Sequence, residues 1–220
     1  PRLNDSMTMM AVDEPFIAKK AQARHNIKLR LKEYGERNPL TIADYDREKG
    51  TVTIIYQKVG KTTLLLDTLE VGDALLNFIG PLGKASELEG HKKVAVVGGG
   101  AGCAIAYPQA KALHNMGVQV DVIAGFRNKD LIILEDEMRE VSDHLYLMTD
   151  DGSNGHKGFV TAALEENIKN GAGYDFVVAI GPLPMMRAVC NLTKEHNIET
   201  MISMNPIMID GTGMCGGCRL

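Results

Sequence analysis

The stretch with the most specific chemistry lies near the end of the sequence, where a carboxylate and two thiols share a glycine-rich segment. Cys215 and Cys218 form a C-x-x-C pair, and Asp210 stands five positions before it. The C-x4-C-x2-C spacing of plant-type iron–sulfur proteins places a cysteine there, and flanking glycines leave backbone amides free to hydrogen-bond the sulfurs. The spacing favours a [2Fe–2S] site with Asp210, Cys215 and Cys218 as metal ligands, in which the harder carboxylate donor lowers the reduction potential.

Two other sites remain open for the same cysteines. Zinc would need a second cysteine or histidine pair, and His156 and His196 are distant in sequence. A thioredoxin-like dithiol follows a strand and opens a helix, whereas glycines flank this pair. The sequence holds no fourth cluster ligand after Cys218, so we expect residues 206–220 to be the start of a truncated iron–sulfur loop.

Two glycine corners could bring bare backbone close to a phosphate or ribose. Each follows an apolar run and precedes a helical pattern, where backbone amides favour an anion. The first corner contains Gly98, Gly99, Gly100 and Gly102, and the second contains Gly181 and Pro182. The corners predict a nucleotide crevice, and tight turns without a ligand are the alternative.

The first corner departs from the standard dinucleotide fingerprint. Cys103 stands where G-x-G-x-x-G has its third glycine, and the next strand ends at Arg127 without an acid for a ribose. Arg127 could meet a 2′-phosphate or be an ordinary solvated arginine. The choice between NAD(H) and NADP(H) therefore stays open.

The elements that must position these residues follow two different patterns of apolar residues along the chain. Up to about residue 83, short alternating runs separated by turns predict an antiparallel β-barrel, interrupted by a helix over 62–69. From residue 92 onward, strands alternate with helices, which predicts a doubly wound parallel sheet. The expected domains are a β-barrel over 1–85, an α/β domain over 90–205 and the iron–sulfur loop over 206–220.

Composition excludes several classes of protein. The 220 residues are 45% hydrophobic and 24% charged, with four cysteines, so a disordered, collagen-like or disulfide-scaffold chain is excluded. A net charge of −4 gives no reason to expect nucleic acid or an anionic membrane as a partner. No apolar run is long enough to span a membrane and no signal peptide is evident, so we expect a cytoplasmic protein.

Together these motifs resemble a known family. The whole chain is similar to the small electron-transfer subunits of the ferredoxin-NADP reductase superfamily. It is most similar to the alpha-subunit type found in NADH-dependent reduced ferredoxin:NADP oxidoreductases, with the electron-transfer subunits of dihydroorotate dehydrogenase B as near relatives. The resemblance implies an FAD-binding barrel, an NAD-binding α/β domain and a C-terminal [2Fe–2S] loop, in that order.

The resemblance also implies which residues bind each cofactor. The two glycine corners would contact the nicotinamide dinucleotide, and residues 150–158 would line its cleft. Three barrel segments would contact FAD: Arg37, Pro39, Leu40 and Thr41; then Ile55, Tyr56 and Gln57; and then Gly60, Lys61, Thr62 and Thr63, which form the pyrophosphate turn. The last two threonines could instead be ordinary helix caps. The family's P-G-Q/H-F turn is replaced here by residues 23–27.

The function that the resemblance implies is electron transfer. Hydride would pass between NAD(H) and FAD, and electrons would leave through the cluster to a larger, glutamate-synthase-like subunit with flavin and iron–sulfur centres, which handles ferredoxin. The cofactors supply this chemistry, so no side chain is expected to be a general acid or base. The alternatives are the electron-transfer subunit of dihydroorotate dehydrogenase B and a nucleotide-binding regulatory module that has lost flavin.

Overall fold

The computed structural model describes residues 1–204 and 206–219, which form two compact units. The first unit contains Pro1–Ser86 together with residues 206–219, and the second contains Glu87–Met204. The C-terminal segment therefore belongs to the same unit as the N-terminal strands. Among the described residues, no helix combines the length and the apolar character needed to cross a membrane.

The first unit is built on a five-stranded antiparallel sheet with the order β1-β4-β3-β2-β5. Side chains alternate between its two faces, as in β4, where Val52, Ile54 and Tyr56 are buried and their neighbours are not. The sheet confirms the predicted antiparallel architecture. Its strands are β1 (Met7–Asp13), β2 (Asn26–Arg30), β3 (Asn38–Asp46), β4 (Thr51–Gln57) and β5 (Asn77–Leu82).

Two short helices accompany this sheet. Helix α1 (Pro15–Lys20) was not predicted from the sequence, and its Ile17 and Ala18 are buried in the core of the sheet. Six residues span less than two helical turns, so no helical periodicity is visible in the sequence. Helix α2 (Lys61–Leu66) is shorter than the predicted helix over 62–69.

The second unit is a five-stranded parallel sheet with the order β10-β9-β6-β7-β8, as the strand–helix alternation predicted. Strands β6 and β9 are central, and Val94–Val97 and the whole of β9 are buried. The strands are β6 (Lys93–Gly99), β7 (Gln119–Phe126), β8 (His144–Thr149), β9 (Phe176–Ile180) and β10 (Glu199–Ile202), and the helices are α3 (Cys103–Asn115), α4 (Glu135–Glu140), α5 (Val160–Lys169) and α6 (Leu183–Glu195).

A buried carboxylate joins three strands near their amino ends. Asp121 on β7 is 2% exposed and accepts a hydrogen bond of 2.6 Å from the Tyr174 hydroxyl. The Nδ1 atom of His144 on β8 lies 2.9 Å from the other carboxylate oxygen. The Lys93 ammonium on β6 lies 3.9 Å from the oxygen that Tyr174 contacts. Burial and the Asp121 carboxylate raise the pKa of Tyr174, so the phenol stays neutral and donates. This cluster lies at the amino ends of the strands, whereas the glycine corners follow the carboxyl ends of β6 and β9.

Candidate functional site

The first glycine corner, residues 98–102, lies at the carboxyl end of the central strand β6. Gly98 and Gly99 complete the strand, Gly100–Gly102 form a single 3-10 turn, and α3 begins at Cys103. Gly100 has a φ of +54°, and a Cβ there would meet no heavy atom within 4 Å. The corner therefore has one glycine that faces open space beside the start of a 13-residue helix.

The second glycine corner, residues 181–182, packs directly on the first. It follows β9, which pairs with β6 in the sheet. A Cβ on Gly181 would lie 3.1 Å from the Cα of Gly99, and a Cβ on Gly102 would lie 2.4 Å from the carbonyl oxygen of Ile180. The structure thus brings the two predicted corners together.

The position of the corners in the sheet is the point at which strand order reverses. Chain order runs outward from β6 to β7 and β8 on one side, and the chain then returns to β9 and β10 on the other side. In doubly wound folds, ligands bind in the crevice at the carboxyl ends of the strands beside this point. The pair of corners is therefore at the position where folds of this type bind their ligands.

Close packing is a second reason why the positions of the first corner are occupied by glycine. A Cβ on Gly98 would come within 2.8 Å of the Cys103 sulfur, and one on Gly99 within 2.5 Å of the Met185 sulfur. Cys103, which replaces the third glycine of the fingerprint, is fully buried, and burial raises the pKa of its thiol to about 12. Its thiol is therefore neutral and fills space beneath the strand end.

The loop after β8, residues 150–158, folds against the end of β7. The amide of Asp150 donates to the carbonyl of Phe126 over 3.0 Å, and the amide of Lys129 donates to the Ser153 hydroxyl over 2.8 Å. The buried Thr149 hydroxyl donates to the Asn154 side chain over 2.7 Å. Arg127 is exposed beside this loop.

In the first unit, the expected flavin strands present their residues on different faces. Ile55 is half-buried and Gln57 is exposed, whereas Tyr56 is 2% exposed and points into the core. Burial raises the pKa of Tyr56 to about 12, and its hydroxyl has no hydrogen-bond partner among the described residues. Tyr56 can therefore contribute only backbone to a ligand on the outer face, while its neighbours offer side chains.

The Pro39–Thr41 segment lies on β3 beside β2. Leu40 packs against the core, Pro39 is exposed, and the Thr41 hydroxyl donates to the side-chain carbonyl of Asn26 over 2.9 Å. Arg37 is exposed in the connection that precedes the strand. The structure therefore joins Thr41 to a residue of β2 that the sequence analysis did not single out.

The expected pyrophosphate turn is the start of α2. The Thr63 hydroxyl accepts hydrogen bonds from the amides of Val59 (3.2 Å) and Gly60 (3.1 Å), so this threonine is a helix-capping residue. Lys61 is exposed, and a Cβ on Gly60 would meet nothing within 4 Å. Because the first amides of a helix have no acceptor within it, open space here leaves them accessible.

The turn over residues 23–27 keeps a backbone shape that suits glycine. Arg24 has a φ of +73°, in the left-handed region that favours glycine. His25 accepts a hydrogen bond of 3.1 Å from the Gln22 amide through Nδ1, and burial lowers its pKa. The altered sequence therefore still forms an ordered turn before β2.

The tail loop, residues 206–219, is organised by Asp210. One carboxylate oxygen accepts the amides of Thr212 (2.8 Å) and Gly213 (3.3 Å), and the other accepts the amide of Cys215 (2.8 Å). These backbone hydrogen bonds lower the pKa of Asp210 to about 2. The carboxylate is ionised at neutral pH and sets the path of the chain up to the first cysteine.

The two thiols of the tail loop are exposed, and the Gly217 amide donates to the Cys215 sulfur over 3.4 Å. In the described parts of the chain, no three His, Cys, Asp or Glu side chains are grouped so that they could hold a metal ion. Chemically, an ionised carboxylate and two accessible thiols are suitable donors for iron. The loop therefore has suitable donors in one short segment.

Residues of the tail loop contact strands β2 and β5. The Gly83 amide donates to the Gly211 carbonyl over 3.1 Å, and the Lys28 ammonium donates to the Ile209 carbonyl. Lys28 and Asn26 were not among the predicted site residues. Lys28 alternates with the buried Ile27 and Leu29, which marks it as outward-facing, but no sequence signal shows what it would meet.

Comparison with known proteins places these features in context. Residues 96–191 match the oxidoreductase NAD-binding domain family. The chain is 43% identical to the "dihydroorotate dehydrogenase B (NAD(+)), electron transfer subunit homolog" of Thermotoga maritima, over 95% of this chain and 73% of that protein. It is 47% identical to an "uncharacterized protein in adh 3'region" of Clostridium beijerinckii, over 99% of this chain and 76% of that protein.

A solved structure is similar over almost the whole chain. It comes from work on flavin-based electron bifurcation by the NADH-dependent reduced ferredoxin-NADP oxidoreductase. The TM-score is 0.91 at 39% sequence identity, and the match covers 99% of this chain and 78% of that one. The similarity therefore includes both units and the tail loop.

Proposed function

Since the chain belongs to the ferredoxin-NADP reductase-like family of electron-transfer subunits that includes those of dihydroorotate dehydrogenase B, we propose that it exchanges hydride between NAD(H) and FAD. Electrons then leave through a [2Fe–2S] cluster in the tail loop to a partner subunit. When bound, FAD and the cluster supply the redox chemistry, FAD in two-electron and the cluster in one-electron steps. The protein has to hold these groups and exclude competing reactions.

The observation that carries the proposal is the meeting of the two glycine corners at the reversal of strand order. Gly99 and Gly181 pack backbone against backbone with the Met185 side chain against both, and Gly100 beside them faces open space. The start of α3 is at the same edge, and its first amides favour an anionic pyrophosphate. Gly98, Gly99, Gly100, Gly102, Gly181 and Pro182 would thus hold the dinucleotide.

The outer face of the antiparallel sheet suits a flavin. Pro39 and Thr41 on β3 and Ile55 and Gln57 on β4 offer accessible apolar and polar surface, while their neighbours form the core. The open space at Gly60 leaves the first amides of α2 accessible to a diphosphate. In this arrangement Lys61 adds positive charge beside it, and the Thr63 hydroxyl preserves the turn.

In the tail loop, Asp210, Cys215 and Cys218 would hold the cluster. Backbone hydrogen bonds keep the Asp210 carboxylate ionised, and the Gly217 amide is placed to hydrogen-bond a sulfur ligand. Hydrogen bonds to sulfur and net charge are among the factors that set iron–sulfur potentials. This role of the tail loop gives the protein an exit for single electrons.

The partner that we propose is a larger, glutamate-synthase-like subunit with flavin and iron–sulfur centres, which handles ferredoxin. The similarity to the NADH-dependent reduced ferredoxin-NADP oxidoreductase structure supports this choice. A dihydroorotate-oxidising partner is the second candidate, and the 43% identity to the Thermotoga maritima homologue supports it. Copurification from the native host, with identification of the bound subunit by mass spectrometry, decides between them.

An absorbance spectrum of the purified full chain tests the cofactor assignment. We expect flavin bands with a broad iron–sulfur shoulder, bleached by NADH. Cys215→Ser should remove the shoulder and retain the flavin bands, whereas the matched Cys190→Ser, on α6 in the other unit, should retain both. A colourless protein that still binds nucleotide would contradict the proposal and favour the regulatory module.

The ligand role of Asp210 has its own test. In the loaded protein, Asp210→Cys replaces a hard donor by a softer thiolate, so the midpoint potential of the cluster should rise. Redox titration followed by electron paramagnetic resonance measures this change. An unchanged potential and spectrum would show that Asp210 does not ligate iron.

A further inference from the structure

The tail loop is fastened to the sheet at two points. The Gly83 amide, just after β5, donates to the Gly211 carbonyl over 3.1 Å, and the Lys28 ammonium on β2 donates to the Ile209 carbonyl. A Cβ on Gly211 would lie 2.9 Å from a methyl carbon of Leu82, so the loop lies directly on the sheet at this point. One of the two attachments is a charge-assisted hydrogen bond from a side chain.

The strand that carries Lys28 is also the neighbour of the proposed flavin strand. In the register of β2 with β3, Lys28 is opposite Pro39 and Asn26 is opposite Thr41. On its other side, β2 pairs with β5, where Lys28 is opposite Ile79 and Asn26 is opposite Leu82. Lys28 therefore lies between the strand that we assign to flavin and the strand that meets the tail loop.

Asn26 links the same elements with its side chain. Its carbonyl oxygen accepts the Thr41 hydroxyl over 2.9 Å, and a Cβ on Gly83 would lie 3.4 Å from its amide nitrogen. The Gly83 amide in turn donates a hydrogen bond to the Gly211 carbonyl. A continuous set of contacts thus runs from Thr41 through Asn26 and Gly83 to the tail loop.

The point at which Lys28 acts determines its effect on the loop. Ile209 immediately precedes Asp210, whose carboxylate fixes the backbone up to Cys215. Holding the Ile209 carbonyl therefore holds the start of the loop as one piece against β2. The ammonium also places a positive charge at the carbonyl of the residue that precedes Asp210.

We propose that Lys28 is a positioning residue that docks the tail loop on the sheet and so fixes the separation between the flavin strand and the iron–sulfur ligands. This inference rests on the function proposed above for its consequence in electron transfer. The docking itself concerns only the protein. Lys28 does not contact the reacting groups and acts through the Ile209 carbonyl.

Hydrogen exchange in the cofactor-free full chain tests the docking. In Lys28→Met, the Gly83 amide should exchange about tenfold faster, because a hydrogen bond from a charged group is lost and the tail loop undocks. The Cys215 amide, bonded within the loop to Asp210, should be unchanged. Lys28→Arg should restore the protection of Gly83, and Lys20→Met, an exposed lysine at the end of α1, should leave both amides unchanged.

The functional consequence is measured in the loaded full chain. Lys28→Met should slow electron transfer from flavin to cluster and lower the midpoint potential of the cluster, because a nearby cation favours the more negative reduced form. Lys28→Arg should restore both values. Wild-type exchange and wild-type transfer in Lys28→Met would overturn the positioning role while the cofactors, and hence the proposed function, remain in place.

Failure of the proposed function would have a different signature. If the wild-type chain binds neither flavin nor cluster, the electron-transfer role of Lys28 is overturned with the function. Faster exchange of Gly83 in Lys28→Met would then still establish the docking. Unchanged exchange of Gly83 would overturn the docking whichever cofactors bind.

Discussion

The two glycine-rich regions of the chain, the glycine corners and the tail loop, are organised by different forces. At the corners, backbone packs on backbone at the ends of two buried strands, and a Cβ on Gly102 would approach a carbonyl oxygen to 2.4 Å. In the tail loop, the thiols are exposed and the Asp210 carboxylate accepts hydrogen bonds from three backbone amides. Close packing of backbone on backbone fixes the corners, whereas the tail loop depends on a few hydrogen bonds.

The difference matches the group that we propose for each region. A dinucleotide is recognised by its shape and by a close approach of backbone, so a preformed crevice avoids a loss of entropy on binding. An iron–sulfur cluster forms short bonds to side chains, and these bonds can themselves complete the folding of a loop. Substitutions in the two regions should therefore have effects of different size and range.

The largest effect should come from Gly102→Ala. The added methyl group overlaps the Ile180 carbonyl, and overpacking of this kind costs about 1–3 kcal/mol of unfolding free energy. NADH affinity should fall as well, because the corners must separate. Urea unfolding and NADH titration measure both effects.

Gly100→Ala is the matched control for that substitution in the same corner. A Cβ there meets no atom within 4 Å, and only the φ of +54° disfavours it, so the loss of stability should be smaller. Equal losses in the two variants would mean that backbone packing does not organise the corners.

Asp210→Asn should act strongly but locally. The neutral amide replaces an ionised acceptor of backbone hydrogen bonds, so the Cys215 amide should exchange roughly tenfold faster, while global unfolding changes little. Hydrogen exchange of the Cys215 amide, measured by mass spectrometry on the cofactor-free chain, tests this expectation. A large drop in global stability would show that the tail loop is part of the cooperative core.

Acid should loosen the tail loop before it unfolds the glycine corners. The pKa of Asp210 is lowered from 3.8 to about 2, so its stabilisation is present above the unfolded-state value and is lost as the pH falls through that window. Proteolysis at a series of pH values, with a protease active in acid, should cut residues 206–219 first. The Asp210→Asn variant should lose this pH dependence.

The smallest effect should come from Arg24→Gly. Glycine adopts the left-handed φ of +73° without strain but gains entropy in the unfolded chain, so the net stabilisation should be at most about 1 kcal/mol. Chemical unfolding measures it. Destabilisation would instead reveal a contact of the Arg24 side chain that outweighs the backbone strain.

Much of the architecture was predictable because it depends on local periodicity. Alternation in β4 and the continuous apolar runs of β6 and β9 specify one-sided and two-sided burial, which is why the antiparallel sheet and the parallel sheet could both be predicted. Helix α1 was missed because six residues are too few to show a helical period. Strand β5 begins and ends later in the chain than the apolar run of residues 74–80, and it continues through Pro81, as an edge strand permits.

The candidate site was predictable only in part. The corners and the Asp210 to Cys218 spacing are visible as motifs, since glycine and cysteine have few other reasons to cluster. The inward orientation of Tyr56 follows from its place in the alternation of β4, which a motif does not show. Lys28 gives no motif at all, because its partner carbonyl is 181 positions away.

By itself, the sequence determined the two fold types, the order of the units and the residues that we propose as ligands of a nucleotide or iron, because these depend on periodicity, glycine placement and side-chain chemistry. Only the tertiary structure decided that Gly99 and Gly102 are needed by neighbouring protein atoms, and that the tail loop returns to β2 and β5. Such contacts join residues far apart in the chain, and no local preference encodes them. They form because burial and hydrogen bonding across the whole fold select them.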